Sequence, residues 1–596
     1  MKTVLIHHNN TAYFSESFFE KHYLFETSSM KDVDSYITEE FIDEGLIFDL
    51  NQADLVFIKV SLSNNYLEYL GIRLAYHLRL DSRVINMRFA IVFLGEESLF
   101  FLCKTCEYYP ILLTDGVYKI RDNKEEIHSF IEKGIDKQFN KTADFTKFLD
   151  KIWLNPPSNF ESNHSIANEW GICRLFGAIK PDLDNEDYNK LKDDVDKLTF
   201  KNSLYFKYTE AKIEHRQEFK LKNQKLISDL GILNLKVALI DDEHSKGWYS
   251  LYQFILRKSN VKSVPFLGFS KEISQQDLID RIQSWIKDEA IAKYGCNTFL
   301  LDLRLHDSDF DKSSNEEELT GNIIFKFIKS LNLGYQIVFI TASNKIWNID
   351  SLNINDYRHY VVKESPDYKF GRNSTLDFFT KFEKALKRCN ESVFLIEAHN
   401  TRERILLKRS TKKYLSDNNF LDLVFNKGGL LDKIYICLER GISNPFDLNQ
   451  ALLYCFHFLE RYCSCAEVAR ISKNSLDVFD YNGQEIEVIH STGSLIKIYR
   501  GNFDFQTNQD PHVIKIDKLT TKASGSLSVE VNSGTKYSSV LYFRENCSES
   551  EIAKVLELLF VRNNLSAHYT GNLDSGYRLR TEDIMFMLRI FDKIQF

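Results

Sequence analysis

The sequence predicts a multidomain protein of mixed α/β and α class. A central doubly wound parallel-sheet domain is preceded by an N-terminal α/β domain and followed by a helical C-terminal domain with a β-hairpin insert. Three observations predict this. Short β-branched runs alternate with helical spacing over the first 145 residues, the pattern of strands and crossover helices in a layered sheet. Four apolar runs between 233 and 388 each end on an acid, a hydroxyl or an amine. Beyond 389 apolar residues recur at helical intervals, interrupted at about 475–545 by alternating segments bounded by Gly, Asn and Ser.

At 596 residues the chain is too long for one core, and roughly three or four domains are expected. A hydrophobic content of 43% and a charged content of 27% describe a globular protein. No apolar run reaches the roughly 18 residues of a membrane span. MKTVLIHHNN at the start lacks the pattern of a signal peptide, so no membrane and a cytoplasmic location are expected. The net charge of −8 excludes a wholly basic nucleic-acid-binding surface but leaves room for a local basic groove. Ten cysteines are scattered. Cys103 and Cys106 form one CxxC without a second pair at zinc-ribbon distance, so buried reduced thiols are expected.

In the N-terminal α/β domain (1–145), KTVLI (2–6), ADLVFIKV (53–60) and FAIVFLG (89–95) read as buried strands, with NYLEYLGIRLAYHLRL as a helix between the last two. Residues 146–232 are polar, with helical stretches such as DNEDYNKLKDDVDKL (184–198), and read as a helical connector.

In the central module (233–388), KVALIDDEH (236–244) ends on Asp241 and Asp242, TFLLDLRL (298–305) carries Asp302, QIVFITAS (336–343) carries Thr341 and HYVVKES (359–365) carries Lys363. The carboxyl ends of parallel strands in such a sheet meet in one crevice. Clustered carboxylates suit a hard divalent cation such as Mg²⁺. Asp302 is placed as a nucleophile toward phosphorus, with Lys363 to neutralise the phosphoryl charge and Thr341 to hydrogen-bond it.

This order resembles the receiver domain of two-component response regulators, a flavodoxin-like fold. The resemblance implies that Asp302 is the phosphoacceptor, that Asp241 and Asp242 hold Mg²⁺ with it, and that Thr341 and Lys363 contact the phosphoryl group. It also implies a histidine kinase or a small-molecule phosphodonor as partner. Gly321 fits the glycine that opens the helix after the phosphoacceptor loop. Two departures stand out: the loop after Asp302 is long and acidic (HDSDFDKSSNEEEL), and Lys363 is followed by Glu-Ser-Pro. The N-terminal domain reads as a receiver-like relative without chemistry, since His7 and His8 stand where acids are needed and Lys59 near the acceptor position. Its role is either binding or dimerisation, or purely structural.

The C-terminal domain (389–596) contains VRNNLSAHY (561–569). Ser548 and Glu551 predict a capping box, and Ile552, Val555, Leu556, Leu559 and Phe560 an apolar helix face. Arg562 and His568 lie about 240° apart on an undistorted helix, so their convergence requires a break, expected at Asn563-Asn564. Thr581 is expected to cap a last helix whose apolar face is Ile584, Met587, Leu588 and Phe591. The segment resembles the HEPN superfamily. The resemblance implies metal-independent RNA cleavage by a homodimer, with His568 in proton transfer, Arg562 stabilising the phosphorane and Asn563 orienting them. TRERILLKRSTKKY (401–414) supplies Arg402, Arg404, Lys408, Arg409, Lys412 and Lys413, either as an RNA-tracking face or as a solvated helix face.

The combined expectation is a phosphorylation-regulated, metal-independent endoribonuclease, by analogy suited to stress or phage defence. The alternative is a non-enzymatic response regulator whose C-terminal domain binds a partner protein.

Overall fold

The computed structural model describes residues 1–8, 18–26, 32–85, 89–134, 141–155, 163–179, 185–198, 202–216, 233–258, 260–270, 272–311, 316–342, 359–363, 374–409, 414–442, 444–471, 476–490, 493–494, 496–498, 516–518, 533–565 and 579–596.

Two five-stranded parallel sheets dominate the first two thirds. In the first, β1 (Thr3–His7), β2 (Lys21–Leu24), β3 (Leu55–Lys59), β4 (Ala90–Leu94) and β5 (Val117–Ile120) take the order β2-β1-β3-β4-β5. Successive side chains on a strand point to opposite faces. Val4, Ile6, Val56, Ile58, Ile91 and Phe93 therefore join one core, and Leu5, Leu55, Phe57 and Val92 join another. Both faces are covered, as a parallel sheet requires, by helices that include α1 (Glu44–Leu50), α2 (Leu70–Leu80), α3 (Leu99–Thr105) and α4 (Lys124–Lys133). The edge strands β2 and β5 escape the sequence pattern because they are only partly buried and carry polar residues.

Four helices follow: α5 (Lys141–Lys151), α6 (Asn163–Ile179), α7 (Asn185–Asp196) and α8 (Leu204–Arg216). They divide between the two sheets. Leu204 and Tyr208 of α8 and Phe148 and Leu149 of α5 enter the core of the first domain, whereas Trp170, Ile172, Leu175 and Ile179 of α6 enter that of the second, where Phe206 of α8 packs on Trp170 at 4.8 Å.

The second sheet comprises β6 (Lys236–Ile240), β7 (Lys262–Pro265), β8 (Thr298–Leu301), β9 (Gln336–Thr341) and β10 (Tyr360–Val362), in the order β10-β9-β8-β6-β7 and parallel throughout. Helices α9 (Trp248–Lys258), α10 (Gln275–Trp285), α11 (Thr320–Leu331) and α12 (Ser374–Ser392) flank it. Counted along the chain, both sheets have the strand order 2-1-3-4-5 of the flavodoxin-like class.

The remaining chain is mainly helical: α13 (Phe394–Lys408), α14 (Asn418–Phe425), α15 (Leu430–Gly441), α16 (Pro445–Tyr462), α17 (Ser533–Phe543), α18 (Glu549–Leu565) and α19 (Thr581–Lys593). Phe458 of α16 stacks on Phe591 of α19 with centroids 4.1 Å apart. Between α16 and α17 lie short antiparallel strands, among them Leu476–Phe479 paired with Glu485–His490 and Ile496–Ile498 paired with Ile516–Lys518.

Three elements differ from the sequence expectation. SSVLYFR (538–544) is not a strand: most of it lies in α17, because Tyr537, Val540 and Leu541 share one buried helical face. Helix α18 does not break at Asn563-Asn564 but continues to Leu565. Burial of Ile552, Val555, Leu558, Leu559 and Val561 holds it helical against the weak preference of Asn, while Phe560 turns outward. The cap of α19 is Arg580, whose backbone N–H donates to the Asp583 carboxylate at 3.0 Å; Thr581 is the first helical residue. The Ser548–Glu551 capping box of α18 is present, and Ile584, Met587, Leu588 and Phe591 are buried.

Candidate functional site

The site lies at the carboxyl edge of the second sheet. Strand β6 runs directly into Asp241 and Asp242, β8 into Asp302, and β10 into Lys363, while Thr341 closes β9. The register sets Ile240 beside Leu301 and Leu301 beside Phe339, so these residues follow at one level of the sheet. Lys363 Nζ lies 2.8 Å from Asp302 Oδ2 and 3.0 Å from Asp241 Oδ2. Asp302, Lys363 and Thr341 are at most 1% exposed. Among the described residues, Asp241, Asp242 and Asp302 form the one carboxylate group able to hold a metal ion, with ligand atoms within 4.8 Å of one another.

The electrostatics follow from burial. Burial works against the Lys363 charge, yet Asp241 and Asp302 outweigh it and hold the ammonium protonated. Burial raises the Asp241 carboxyl despite Lys363. Asp242 is pushed well above the usual carboxylate range by burial and by the charges of Asp302 and Asp241. Its Oδ1 atom is buried without a hydrogen-bond partner. An orphaned carboxylate oxygen beside two further acids suits a hard cation, which would satisfy it and relieve the repulsion.

Surrounding residues fix this geometry. Asp302 Oδ1 accepts from the backbone N–H of Leu303 at 2.6 Å. Trp248 places its ring 4.7 Å from Lys363 Nζ, and Tyr252 reaches Asp241 Oδ2 at 3.4 Å. Gly321 is required because a methyl group there would collide with the carbonyls of Asp302 and Leu303. In the acidic loop after Asp302, Asp309 is wholly buried and structural, accepting from Leu305 N, His306 N, Thr320 N and the Thr320 hydroxyl.

The largest omission from the sequence reading is Asn168 on α6. Its Oδ1 accepts from Lys363 Nζ at 2.8 Å, from a residue 195 positions away. No motif marks it, because its role depends on where α6 docks.

The first sheet offers a direct comparison. Gly71 of α2 is crowded against the carbonyls of Lys59 and Val60, as Gly321 is against those of Asp302 and Leu303, and Gly71 N donates to Val60 O as Gly321 N does to Leu303 O. Lys59 therefore stands at the Asp302 position. Following the strand registers, His7 stands at Asp241, His8 at Asp242, Gly95 at Thr341 and Asp122 at Lys363. Lys59 Nζ and Asp122 Oδ2 are 3.2 Å apart. The ion pair of the second domain recurs in the first with its charges exchanged, and a lysine stands where the second domain has the Asp302 carboxylate.

The two sheets thus share one flavodoxin-like architecture, present once with acids at its strand ends and once without them. The comparisons agree for the first copy: residues 9–120 match the family model of an inactive receiver domain. No curated protein and no solved structure matches the chain.

In the C-terminal domain Arg562 is half-buried in the last turn of α18, and its Nη1 donates to Asn563 Oδ1 at 2.9 Å. His568 lies outside the described residues, as do Lys412 and Lys413. The rest of the basic stretch is engaged within the chain. Arg402 pairs with Asp432 and Glu403, Arg404 with Asp592 at 2.8 Å, Lys408 with Asp592 at 3.4 Å and Arg409 with Asp422 at 3.3 Å. No helix among the described residues is long and apolar enough to cross a membrane.

Proposed function

We propose that the chain is a phosphorylation-responsive regulator whose second receiver-like domain accepts a phosphoryl group on Asp302 and controls the helical C-terminal domain. The Lys363 ammonium bridging Asp241 and Asp302, beside the orphaned Asp242 oxygen, carries this reading. A Mg²⁺ ion held by Asp241, Asp242 and Asp302 would supply charge neutralisation to the phosphoryl oxygens. In the transfer an Asp302 carboxylate oxygen forms a bond to phosphorus as the donor's own bond to phosphorus breaks, a P–N bond in a phosphohistidine and a P–O bond in an acyl phosphate. The donor's nitrogen or oxygen leaves with the electron pair, and no proton is exchanged at the carboxylate. Lys363 then moves from pairing with the bare carboxylate to pairing with the phosphoryl group, and Thr341 donates to it. The donor is a histidine kinase or a small acyl phosphate. The test is labelling of the full chain by radioactive acetyl phosphate with Mg²⁺, which should vanish in Asp302→Asn. Persistent labelling in that variant would move the acceptor elsewhere.

The output follows one of two readings. In the first, the C-terminal domain binds a partner protein and has no activity of its own. The second is a metal-independent endoribonuclease, formed by two copies through Arg562, Asn563 and His568. It is favoured by the pairing of Arg562 with Asn563 at the end of a capped helix. RNA cleavage that survives EDTA and disappears in His568→Ala would select the nuclease. The absence of cleavage in both phosphorylated and unphosphorylated chain would select the binding module.

A further inference from the structure

Helix α6 belongs to neither sheet, yet it reaches the crevice. Residues 168–175 of it are all buried, and Trp170, Ile172, Leu175 and Ile179 enter the core shared with α9 and α12. Gly247, in left-handed conformation with φ 96° just before α9, is crowded by Ile172, so that the helix packs against the turn following Asp242. Glu169 pairs with Lys246 at 3.5 Å, and Lys246 in turn with Glu243 at 2.9 Å, both on that turn. Just before these anchors Asn168 is wholly buried, and its Oδ1 accepts from Lys363 Nζ.

A receiver-like site has to admit a phosphodonor to its aspartate. Here the aspartate and the lysine are closed off from solvent. The lysine has three donor protons, and in this structure its partners are Asp302, Asp241 and Asn168. A phosphoryl group on Asp302 adds three acceptor oxygens in the same small volume. The hydrogen bond to Asn168 is the one not made to an acid of the site.

We propose that α6 is an intramolecular cover of the phosphoacceptor crevice, latched by Asn168 on Lys363, and that phosphorylation of Asp302 and docking of α6 compete. This rests on the receiver reading above. Because α8 is docked on the first domain through Leu204 and Tyr208 and on α6 through Phe206 against Trp170, release of α6 transmits the phosphorylation state to the connector between the two receiver-like domains. The competition works in both directions, as linkage requires.

The experiment uses the full chain with Mg²⁺ and two readouts: the rate of labelling by acetyl phosphate, and hydrogen–deuterium exchange of residues 163–179 with and without beryllofluoride. Labelling scales with the fraction of molecules whose crevice is open, so Asn168→Ala should accelerate it about tenfold. Ile172→Ala, which loosens the anchor without touching the crevice, should accelerate it in the same direction. Beryllofluoride, whose binding is followed independently by fluorine NMR, should speed exchange across 163–179 in the wild type. Bound beryllofluoride with unchanged exchange, or equal labelling rates in all three chains, overturns the cover and leaves the receiver reading standing. No labelling and no beryllofluoride binding in any chain overturns both.

Discussion

Lys363 shows how much one side chain decides. Its ammonium is enclosed with two carboxylates at 2.8 and 3.0 Å, and removing one partner of a buried pair leaves uncompensated charge. Lys363→Met should therefore destabilise the second domain by roughly 3–5 kcal/mol. Millimolar Mg²⁺ should recover part of the loss in a thermal melt, since the acids then share a cation. His77, in the first domain, gives a pH dependence. Its Nδ1 faces the Lys207 ammonium at 3.2 Å and so accepts, which leaves Nε2–H to donate to Asp34 Oδ1 at 2.9 Å. Burial pushes this imidazole from 6.5 down to about 4 against the pull of Asp34, and it stays neutral at pH 7. Between those two values the unfolded chain binds more protons than the folded one. Stability present above the upper value is thus lost as pH falls toward the lower, by up to about 3 kcal/mol. Denaturation midpoints compared at neutral and mildly acidic pH should show this loss, and His77→Gln should flatten it.

At the scale of elements, the two crowded glycines separate fold from chemistry. Gly321 and Gly71 each let a helix start against a backbone carbonyl, that of Asp302 and that of Lys59. Alanine at either should cost about 1–3 kcal/mol through overpacking. Gly321→Ala should also slow acetyl phosphate labelling, because the collision is with Asp302 itself, whereas Gly71→Ala should leave labelling unchanged. Helix α17 teaches the converse lesson about reading elements. SSVLYFR has the composition of a strand, but Val540 and Leu541, with Tyr537 just before it, bury a helical face against neighbours that come from distant sequence. Tertiary packing overrode the local propensity.

For the whole molecule, the buried residues fall into separate cores for the first domain, the second domain and the C-terminal helices. Unfolding should not be a single two-state event. Calorimetry with Mg²⁺ and beryllofluoride should raise the transition of the second domain selectively, by mass action on the folded form. A uniform shift of all transitions would instead mean that the domains unfold as one unit. The C-terminal helices are joined to the second domain at the edge of the sheet opposite the crevice. There Asn332 Nδ2 donates to Asn400 Oδ1 at 2.8 Å, and Gly334 is crowded against the backbone of Leu395 and Ile396.

Local pattern was enough to place the buried central strands and the acids, hydroxyl and amine at their ends. β-Branched runs have few other conformations open to them, and a parallel sheet forces its strand ends together. The edge strands β2 and β7 were not legible, because half-exposed edges carry no apolar signal. Nor was the continuation of α18 through two asparagines, since it depends on what the helix packs against. The exchanged charges of Lys59 and Asp122 emerge only when two registers are laid side by side. Asn168 required the full tertiary structure: its meaning depends on α6 docking across the second domain, and that docking is set by the packing of Trp170 and Ile172 against residues far along the chain. The sequence determined which chemistry each strand end carries, because side-chain identity is local. The tertiary structure decided which of those ends is enclosed, and by what, because enclosure is a property of packing between distant segments.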